Sequence, residues 1–333
     1  MIFPWQTTQW QQLDHAKQSN RLSHALLFVG REGLGKTIFA ESLVRALLCL
    51  TNENAPLAYC NQCQSCALVN ARSHPNVKWV QPENFHIKID QIREVREFAH
   101  HSSLKGHQRF IIIEQARYMN ANAANALLKT LEEPPPDVFI ILITHQPGRL
   151  PATVLSRCQR ILFQPPSTSD AIQWMKQSIV EEKKAAVYAY LPLILTLAEG
   201  APLKALKLIE HDILNFRETI FGLLYDLALH ARNPIVHAGK IKEEQLDIFL
   251  DLTMQWVRDL LRLQLQIDDM IHHDYQKQFM ELKTQLPIKA VLKFFHYLLH
   301  VRRLLSTGSN LNKQMLLESI FINLFSGMHH VTR

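Results

Sequence analysis

The sequence predicts an α/β domain built on a parallel sheet, followed by a region made only of helices. Three observations predict this. The first ~165 residues alternate β-rich runs with helical patterns. A glycine-rich loop ending in Lys-Thr follows the first run, and beyond that domain the strand signal disappears. With 333 residues, 47% of them apolar, the chain is long enough for two or three domains that each bury a core.

The α/β region contains five candidate strands separated by helical patterns. Behind Asp90, a candidate cap, Ile92, Val95 and Ala99 recur at helical spacing. A second helix is expected over 120–133, where three prolines end it. The runs rich in β-branched and aromatic residues lie at 24–30, 77–81, 109–115, 138–144 and 160–164.

Changes in composition divide the chain into three predicted domains. Residues 1–165 form the nucleotide-binding-type domain and 166–208 a small helical lid. Residues 209–333 contain four or more amphipathic helices whose apolar stripes suit a core or a subunit contact, so we expect a helical collar domain there.

Composition also restricts location and partners. The chain lacks an apolar run long enough to span a membrane, and its first ten residues lack the basic start and apolar core of a secretory signal, so we expect a cytoplasmic protein. A net charge of +6 permits contact with nucleic acid, but the basic residues are dispersed, which equally fits a solvated surface.

The segment GREGLGKT, residues 30–37, has the spacing of a phosphate-binding loop, or P-loop. Glycines let backbone N–H groups face phosphate oxygens, the lysine reaches the β and γ phosphates, and the threonine hydroxyl ligates Mg²⁺. A strand precedes the loop and a helix follows it, as phosphate binding requires. We predict a site for ATP or ADP with Mg²⁺ at Gly30, Gly33, Gly35, Lys36 and Thr37; a glycine-rich turn without a ligand is the alternative.

Hydrolysis in a P-loop protein needs acidic residues at the end of a neighbouring strand. Glu114 and Gln115 occupy those positions. Glu114 can serve the metal through water, but the Gln115 amide cannot accept a proton from the attacking water. Because glutamine orients water in some GTPases, the substitution weakens the case for catalysis without excluding it. The sequence therefore favours nucleotide binding over hydrolysis.

Four cysteines between the P-loop and the second strand predict a metal site within 49–66. The thiols of Cys49, Cys60, Cys63 and Cys66 suit tetrahedral Zn²⁺ in a closed, structural site. An iron–sulfur cluster or unliganded thiols remain alternatives. The fifth cysteine, Cys158, is expected to be a buried packing thiol.

Two long motifs carry a resemblance to a known family. ANALLKTLEEPPPDVFIILIT and LPATVLSRCQRILF, together with the P-loop and the four cysteines, closely resemble bacterial DNA polymerase III clamp-loader subunits of the AAA+ class. The similarity covers essentially the whole chain. It implies that Arg157, in Ser-Arg-Cys, is an arginine finger acting in trans, and that Thr144 is in the position of a polar sensor. A hydroxyl that caps local backbone accounts for Thr144 equally well.

Two departures favour the delta-prime branch of that family over its gamma/tau motor branch. Motor subunits keep an Asp-Glu pair where this chain has Glu114 and Gln115, and they carry a phosphate-sensing Arg where it has Leu203. Lys204 is the next residue, but one helical step turns a side chain by about 100°, which argues against direct replacement.

The resemblance implies a subunit of the DNA-directed DNA polymerase (nucleotidyltransferase) holoenzyme with little or no ATPase of its own. Its expected partners are the gamma/tau and delta subunits and, through the complex, the beta sliding clamp and primed DNA. An active gamma/tau-like motor is the alternative function. A zinc-dependent DNA-binding protein is a third interpretation, based on the thiols and the positive charge.

Overall fold

A computed structural model of the chain describes residues 2–51, 56–100, 108–180, 187–230, 233–267, 269–306 and 311–329. The chain divides into two compact units. The first comprises Met1–Ser178 and Glu199–Ala205, and the second Ile179–Ala198 and Leu206–Arg333. The three-part division with a lid over 166–208 stays a prediction.

The first unit is built on a five-stranded parallel sheet of order β2-β3-β4-β1-β5. The five predicted strands are confirmed, with ends that shift by at most two residues. The strands are β1 Ala25–Val29, β2 Val77–Val80, β3 Arg109–Ile113, β4 Val138–Thr144 and β5 Gln159–Leu162.

Both faces of the sheet are buried, which explains the nearly continuous apolar runs of its central strands. Ile111 and Ile113 of β3 belong to the core on one face, whereas Phe110 and Ile112 belong to the core on the other. This alternation follows from the two-residue period of a strand. The predicted parallel sheet with helices is therefore confirmed.

The helices of the first unit connect and cover these strands. The N-cap of α5 is Asn120, whose side chain accepts a hydrogen bond from the Ala123 N–H. The helices are α1 Thr7–Gln18, α2 Lys36–Leu48, α3 Gln64–Asn70, α4 Ile89–His100, α5 Ala121–Glu132, α6 Ala152–Leu155 and α7 Thr168–Ser178.

The cysteine insertion lies between α2 and β2, and α3 forms its last part. Of the predicted 49–66 module, residues 52–55 lie outside the described ranges. The insertion is held by α1, because Trp10 Nε1 donates to the Leu57 carbonyl at 3.1 Å and the Leu57 N–H donates to Asp14 Oδ1 at 2.6 Å.

The second unit is helical, as predicted. In its longest helices apolar positions recur at spacings of three and four; Phe249, Leu250, Trp256, Val257 and Leu260 are buried along one of them. The remaining described helices are α8 Leu191–Leu197, α9 Pro202–Glu210, α10 Ile213–His230, α11 Pro234–Ala238, α12 Leu246–Gln264, α13 Gln276–Gln285, α14 Ile288–Ser306 and α15 Lys313–His329. The first turn of α9 belongs to the first unit, which includes Glu199–Ala205. None of the helices in the described ranges combines the length and apolar character that a bilayer-spanning helix needs.

Candidate nucleotide site, metal centre and exposed arginine

The P-loop joins the end of β1 to the start of α2. Gly33 and Gly35 both have φ +80, a left-handed conformation that glycine adopts without strain. Lys36 is only 7% exposed, and its Nζ donates to the carbonyl oxygens of Gly30 and Arg31, each at 2.6 Å. A buried ammonium therefore lies at the N-terminus of a long helix, which suits phosphate binding.

Two other segments of the same unit contact the P-loop. Trp5 Nε1 donates to the Leu34 carbonyl at 3.1 Å. The Leu203 N–H donates to the Gly33 carbonyl at 3.2 Å. A Cβ at Gly33 would lie 2.6 Å from the backbone nitrogen of Lys204. Glycine at this position is therefore required by the packing of the chain itself as well as by the predicted phosphate contact.

Thr144 ends β4 beside the P-loop. It is paired in register with Val29 of β1, and its carbonyl accepts a hydrogen bond from the Gly30 N–H at 3.4 Å. Its hydroxyl accepts from the Gln146 N–H at 3.1 Å, which is the local cap expected of a hydroxyl at a strand end. Thr37 lies half-buried in the first turn of α2. The structure thus brings Thr144 and the loop together at one edge of the sheet.

Glu114, the acidic residue that follows β3, forms an ion pair with an arginine of the same chain. Glu114 Oε1 lies 3.1 Å from Arg72 Nη1. Arg72 also contacts Glu41 at 2.6 Å and lies over the Trp79 ring at 4.3 Å. The arginine neutralises part of the Glu114 charge, which makes this carboxylate a weaker partner for a metal shell. Gln115 is exposed.

The four predicted cysteine ligands converge. Their sulfur atoms lie within 4.8 Å of one another. The Cys49 and Cys60 sulfurs are 3.7 Å apart, close to the ~3.8 Å between ligands on a tetrahedral zinc with bonds of about 2.3 Å. Backbone N–H groups of Cys60, Cys63 and Cys66 also donate to cysteine sulfurs at 3.3–3.4 Å. Such donors stabilise thiolate ligands, so this cluster fits a metal such as zinc.

The thiols differ in acidity because their surroundings differ. A hydrogen bond from the Thr51 side chain, with backbone donors, lowers the pKa of Cys60 to about 5. Burial, followed by the contact with Cys63, raises the pKa of Cys66 to about 12. A bound cation would favour the thiolate form of every ligand, so metal binding would release the proton of Cys66.

Arg157 lies on the surface between α6 and β5. Its side chain is 36% exposed, and Nη2 lies 2.6 Å from the Glu132 carboxylate at the end of α5. Nη1 donates to the Thr153 carbonyl at 2.9 Å. The neighbouring Cys158 is buried, and burial raises the pKa of its thiol to about 11, as expected of a packing residue.

Comparison with known proteins identifies the family. A family model described as "DNA polymerase III, delta subunit" matches residues 5–167, and one described as "DNA polymerase III, delta subunit, C terminal" matches residues 220–325. A DNA polymerase III subunit delta' from Pseudomonas aeruginosa is 31% identical over 327 residues, which are 96% of each chain. The chain belongs to the DNA polymerase III delta-prime family.

Two Bacillus subtilis proteins show how far the likeness extends. The delta' subunit of that organism is 31% identical and covers 93% of each chain. The tau subunit is 30% identical over 84% of this chain but only 50% of its own length. The resemblance stated from the motifs is therefore confirmed, and the likeness extends to a tau subunit.

Sequence reasoning missed two residues beside the P-loop. Arg117 lies in the turn after β3, and its guanidinium contacts the imidazole of His145, just beyond β4. Burial, together with the charges of Arg117, Lys36 and Lys204, lowers the pKa of His145 to about 4, although Glu32 acts in the opposite direction. His145 is therefore neutral at pH 7. No local motif marks these residues, because strand pairing alone brings them to the loop.

Nucleotide affinity is expected to fall as pH rises above about 8. Burial lowers the pKa of Lys36 from 10.5 to about 8, with a smaller contribution from Arg117. Bound phosphate favours the ammonium, so binding near pH 8 should take up about half a proton per nucleotide. Calorimetric titration with ADP in two buffers of different ionisation enthalpy measures this uptake.

In the chain without nucleotide, deprotonation of Lys36 should affect stability in the opposite direction: the free energy of unfolding should rise with pH. The Lys36 pKa is lower in the folded chain than in the unfolded chain, so unfolding binds protons between pH 8 and 10.5. The contribution of this residue to the free energy of unfolding therefore increases with pH across that window.

For the binding prediction, an ADP affinity that stays constant from pH 7 to 10 would show that the Lys36 ammonium does not contact the nucleotide.

Proposed function

We propose that this chain is the rigid subunit of a bacterial clamp loader, donating Arg157 to ATP held by an adjacent motor subunit while hydrolysing little or no ATP itself. The observation that carries the proposal is the guanidinium of Arg157, which is exposed yet fixed by Glu132 and Thr153. An arginine held in one orientation at a surface is prepared to meet a phosphate on another chain.

The chemistry of the guanidinium suits this role. It is always charged and carries five N–H donors, of which Glu132 and Thr153 engage only part. The remaining donors would stabilise the charge that develops on a transferred phosphoryl group. The family's Ser-Arg-Cys motif supports the assignment of this role to Arg157.

The chain's own nucleotide site supports binding rather than turnover. The P-loop offers Gly30, Gly33, Gly35, Lys36 and Thr37 to ATP or ADP, with Thr144 and Glu114 nearby. The buried ammonium of Lys36 and the left-handed glycines fit a polyphosphate. Mg²⁺, when bound, would neutralise phosphate charge; Thr37 would hold it. Gln115 supplies no general base, and Glu114 is already paired with Arg72.

The cysteine cluster is proposed to hold one structural Zn²⁺. All four positions of a tetrahedral ion would be filled by thiolates, which leaves no site for a reacting water. The ion would fix the insertion between α2 and β2, which is also anchored by the contacts of Leu57 with α1 and of Asn61 and Tyr59 with Arg45 of α2.

The proposed partners are the gamma/tau and delta subunits, with the sliding clamp and primed DNA reached through the complex. We assign collar assembly to the helical residues 209–333 and a lid role to 166–208. The proposed assembly opens the clamp and places it on primed DNA, as part of the DNA polymerase III holoenzyme.

Alanine at Lys36 in this chain alone should leave ATP turnover of the reconstituted clamp loader near its unmutated value. Lys36 would bind nucleotide here without contributing to a motor site. The measurement is steady-state hydrolysis with clamp and primed DNA, after sizing confirms assembly; Lys88→Ala, which removes an exposed lysine, is the control.

The intact P-loop favours one alternative, an active motor subunit. It predicts that Lys36→Ala lowers turnover by about the share of one active site, whereas Lys88→Ala does not. That result would show that Gln115 permits hydrolysis. The proposal that this chain hydrolyses little or no ATP would then be wrong.

A further inference from the structure

Three basic side chains are brought to the P-loop by three separate elements of the first unit. Lys36 begins α2, Arg117 lies in the turn after β3, and Lys204 lies in the first turn of α9. Because β1, β3 and β4 are parallel neighbours, the segments that follow them lie at one edge of the sheet. Lys204 joins them because its backbone packs directly on Gly33.

Arg117 is oriented by contacts with two uncharged side chains. Its guanidinium contacts His145, and Nη2 donates to the Tyr118 hydroxyl at 2.7 Å, while the group lies 4.3 Å from the centre of the Tyr118 ring. Both partners are neutral, so they orient the guanidinium without neutralising its charge.

The turn that precedes α9 places Lys204 beside the P-loop. Glu199 and Gly200 have φ values of +59 and +80, and the Glu199 carbonyl accepts a hydrogen bond from Arg31 Nη1 at 2.5 Å. The turn brings the start of α9 onto Gly33. The Glu199 carboxylate lies 3.9 Å from both Lys204 Nζ and Arg31 Nε, a distance at which the pairing is weak and exposed.

We propose that Arg117 and Lys204 bind the phosphates of the nucleotide held by the P-loop, as two cationic ligands additional to Lys36. This inference rests on the proposed nucleotide binding and identifies the residues that would replace the missing phosphate-sensing arginine. Lys204 does not need the direction of that arginine, because it approaches the loop over Gly33. Arg31, Lys36, Arg117 and Lys204 carry four positive charges against the two negative charges of Glu32 and Glu199. A polyphosphate matches this excess.

The pKa values of two groups in this cluster agree with an excess of positive charge. Glu32 raises the pKa of Lys36, yet burial and the charge of Arg117 lower it to about 8. The charges of Arg117, Lys36 and Lys204 all lower the pKa of His145, and Glu32 only partly opposes them. Cations held this close repel one another, and an anionic ligand would relieve the repulsion.

Equilibrium binding of ATP and AMP to the full chain at pH 7 tests the proposal. Arg117→Gln and Lys204→Gln are each expected to weaken ATP binding by about ten- to a hundredfold, because each removes charge-assisted hydrogen bonds. AMP binding should change far less. Glu199→Gln should tighten ATP binding, since it removes the carboxylate that faces Lys204 and Arg31.

The controls separate this inference from nucleotide binding as such. Arg93→Gln and Lys88→Gln remove exposed basic residues elsewhere in the same unit and should leave ATP affinity unchanged. If the unmutated chain binds ATP, Lys36→Ala abolishes binding, and both cluster variants bind normally, the inference is wrong and nucleotide binding stands. If the unmutated chain binds no ATP, both are wrong. Weaker ATP binding by Glu199→Gln would also contradict the assigned charge balance.

Discussion

Alanine at Arg157 is expected to reduce hydrolysis at the neighbouring motor site by about a thousandfold or more, the usual contribution of an arginine finger. Since the other sites of the assembly keep their own catalytic groups, total turnover should fall by at least the share of one site. Folding should be almost unaffected, because an ion pair as exposed as Arg157 with Glu132 contributes about 0–1 kcal/mol. Steady-state and single-turnover hydrolysis by the reconstituted complex measure the loss.

Two further variants distinguish an arginine finger from an ordinary surface arginine. Arg157→Lys keeps the charge but loses the planar fork, so it should recover only a small part of the activity. Arg160→Ala removes another exposed arginine, three residues further along the chain, and should behave like the unmutated protein. Equal turnover in the Arg157→Ala and Arg160→Ala complexes would assign Arg157 to an ordinary surface ion pair.

The fold could be predicted because its signals are local. A central strand buried on both faces is apolar along nearly its whole length, and residues 138–143 show this without reference to the rest of the chain. The helical second unit could be predicted for the same reason, since α12 buries residues at spacings of three and four. Strand ends shifted by one or two residues because backbone hydrogen bonding, which a hydrophobic pattern does not report, determines where a strand stops.

The candidate site could be predicted only where its residues form a motif. The P-loop and the four cysteines have diagnostic spacings, and the structure brings each set together. Arg72 and Arg117 have no such spacing. Arg72 reaches Glu114 from the segment after α3, and Arg117 reaches His145 because β3 pairs with β4. Contacts between segments far apart in sequence follow from tertiary packing, which one sequence does not reveal.

Removal of the proposed zinc is expected to unfold residues 49–70 locally while the sheet stays folded. Structural zinc contributes about 10–16 kcal/mol of apparent binding energy at pH 7, far more than the few hydrogen bonds that anchor this insertion. Without the ion, the four cysteines lose the bonds that would hold them together, and Cys66 takes up a proton. Hydrogen exchange of the full chain, with and without a chelator, should show lost protection in this segment and unchanged protection in β3 and β4.

Cys63→Ser should lose stoichiometric zinc, because serine replaces a thiolate with a poor ligand, whereas Cys158→Ser should retain one ion per chain. Metal content by mass spectrometry distinguishes them, and visible absorbance of the purified protein would indicate an iron–sulfur cluster instead. A purified protein that contains no metal and whose insertion is nevertheless protected would mean that the thiols pack without a metal. If chelation abolished DNA binding while exchange remained unchanged, the ion would belong to a DNA contact, since a purely structural ion cannot be removed without releasing the segment it holds.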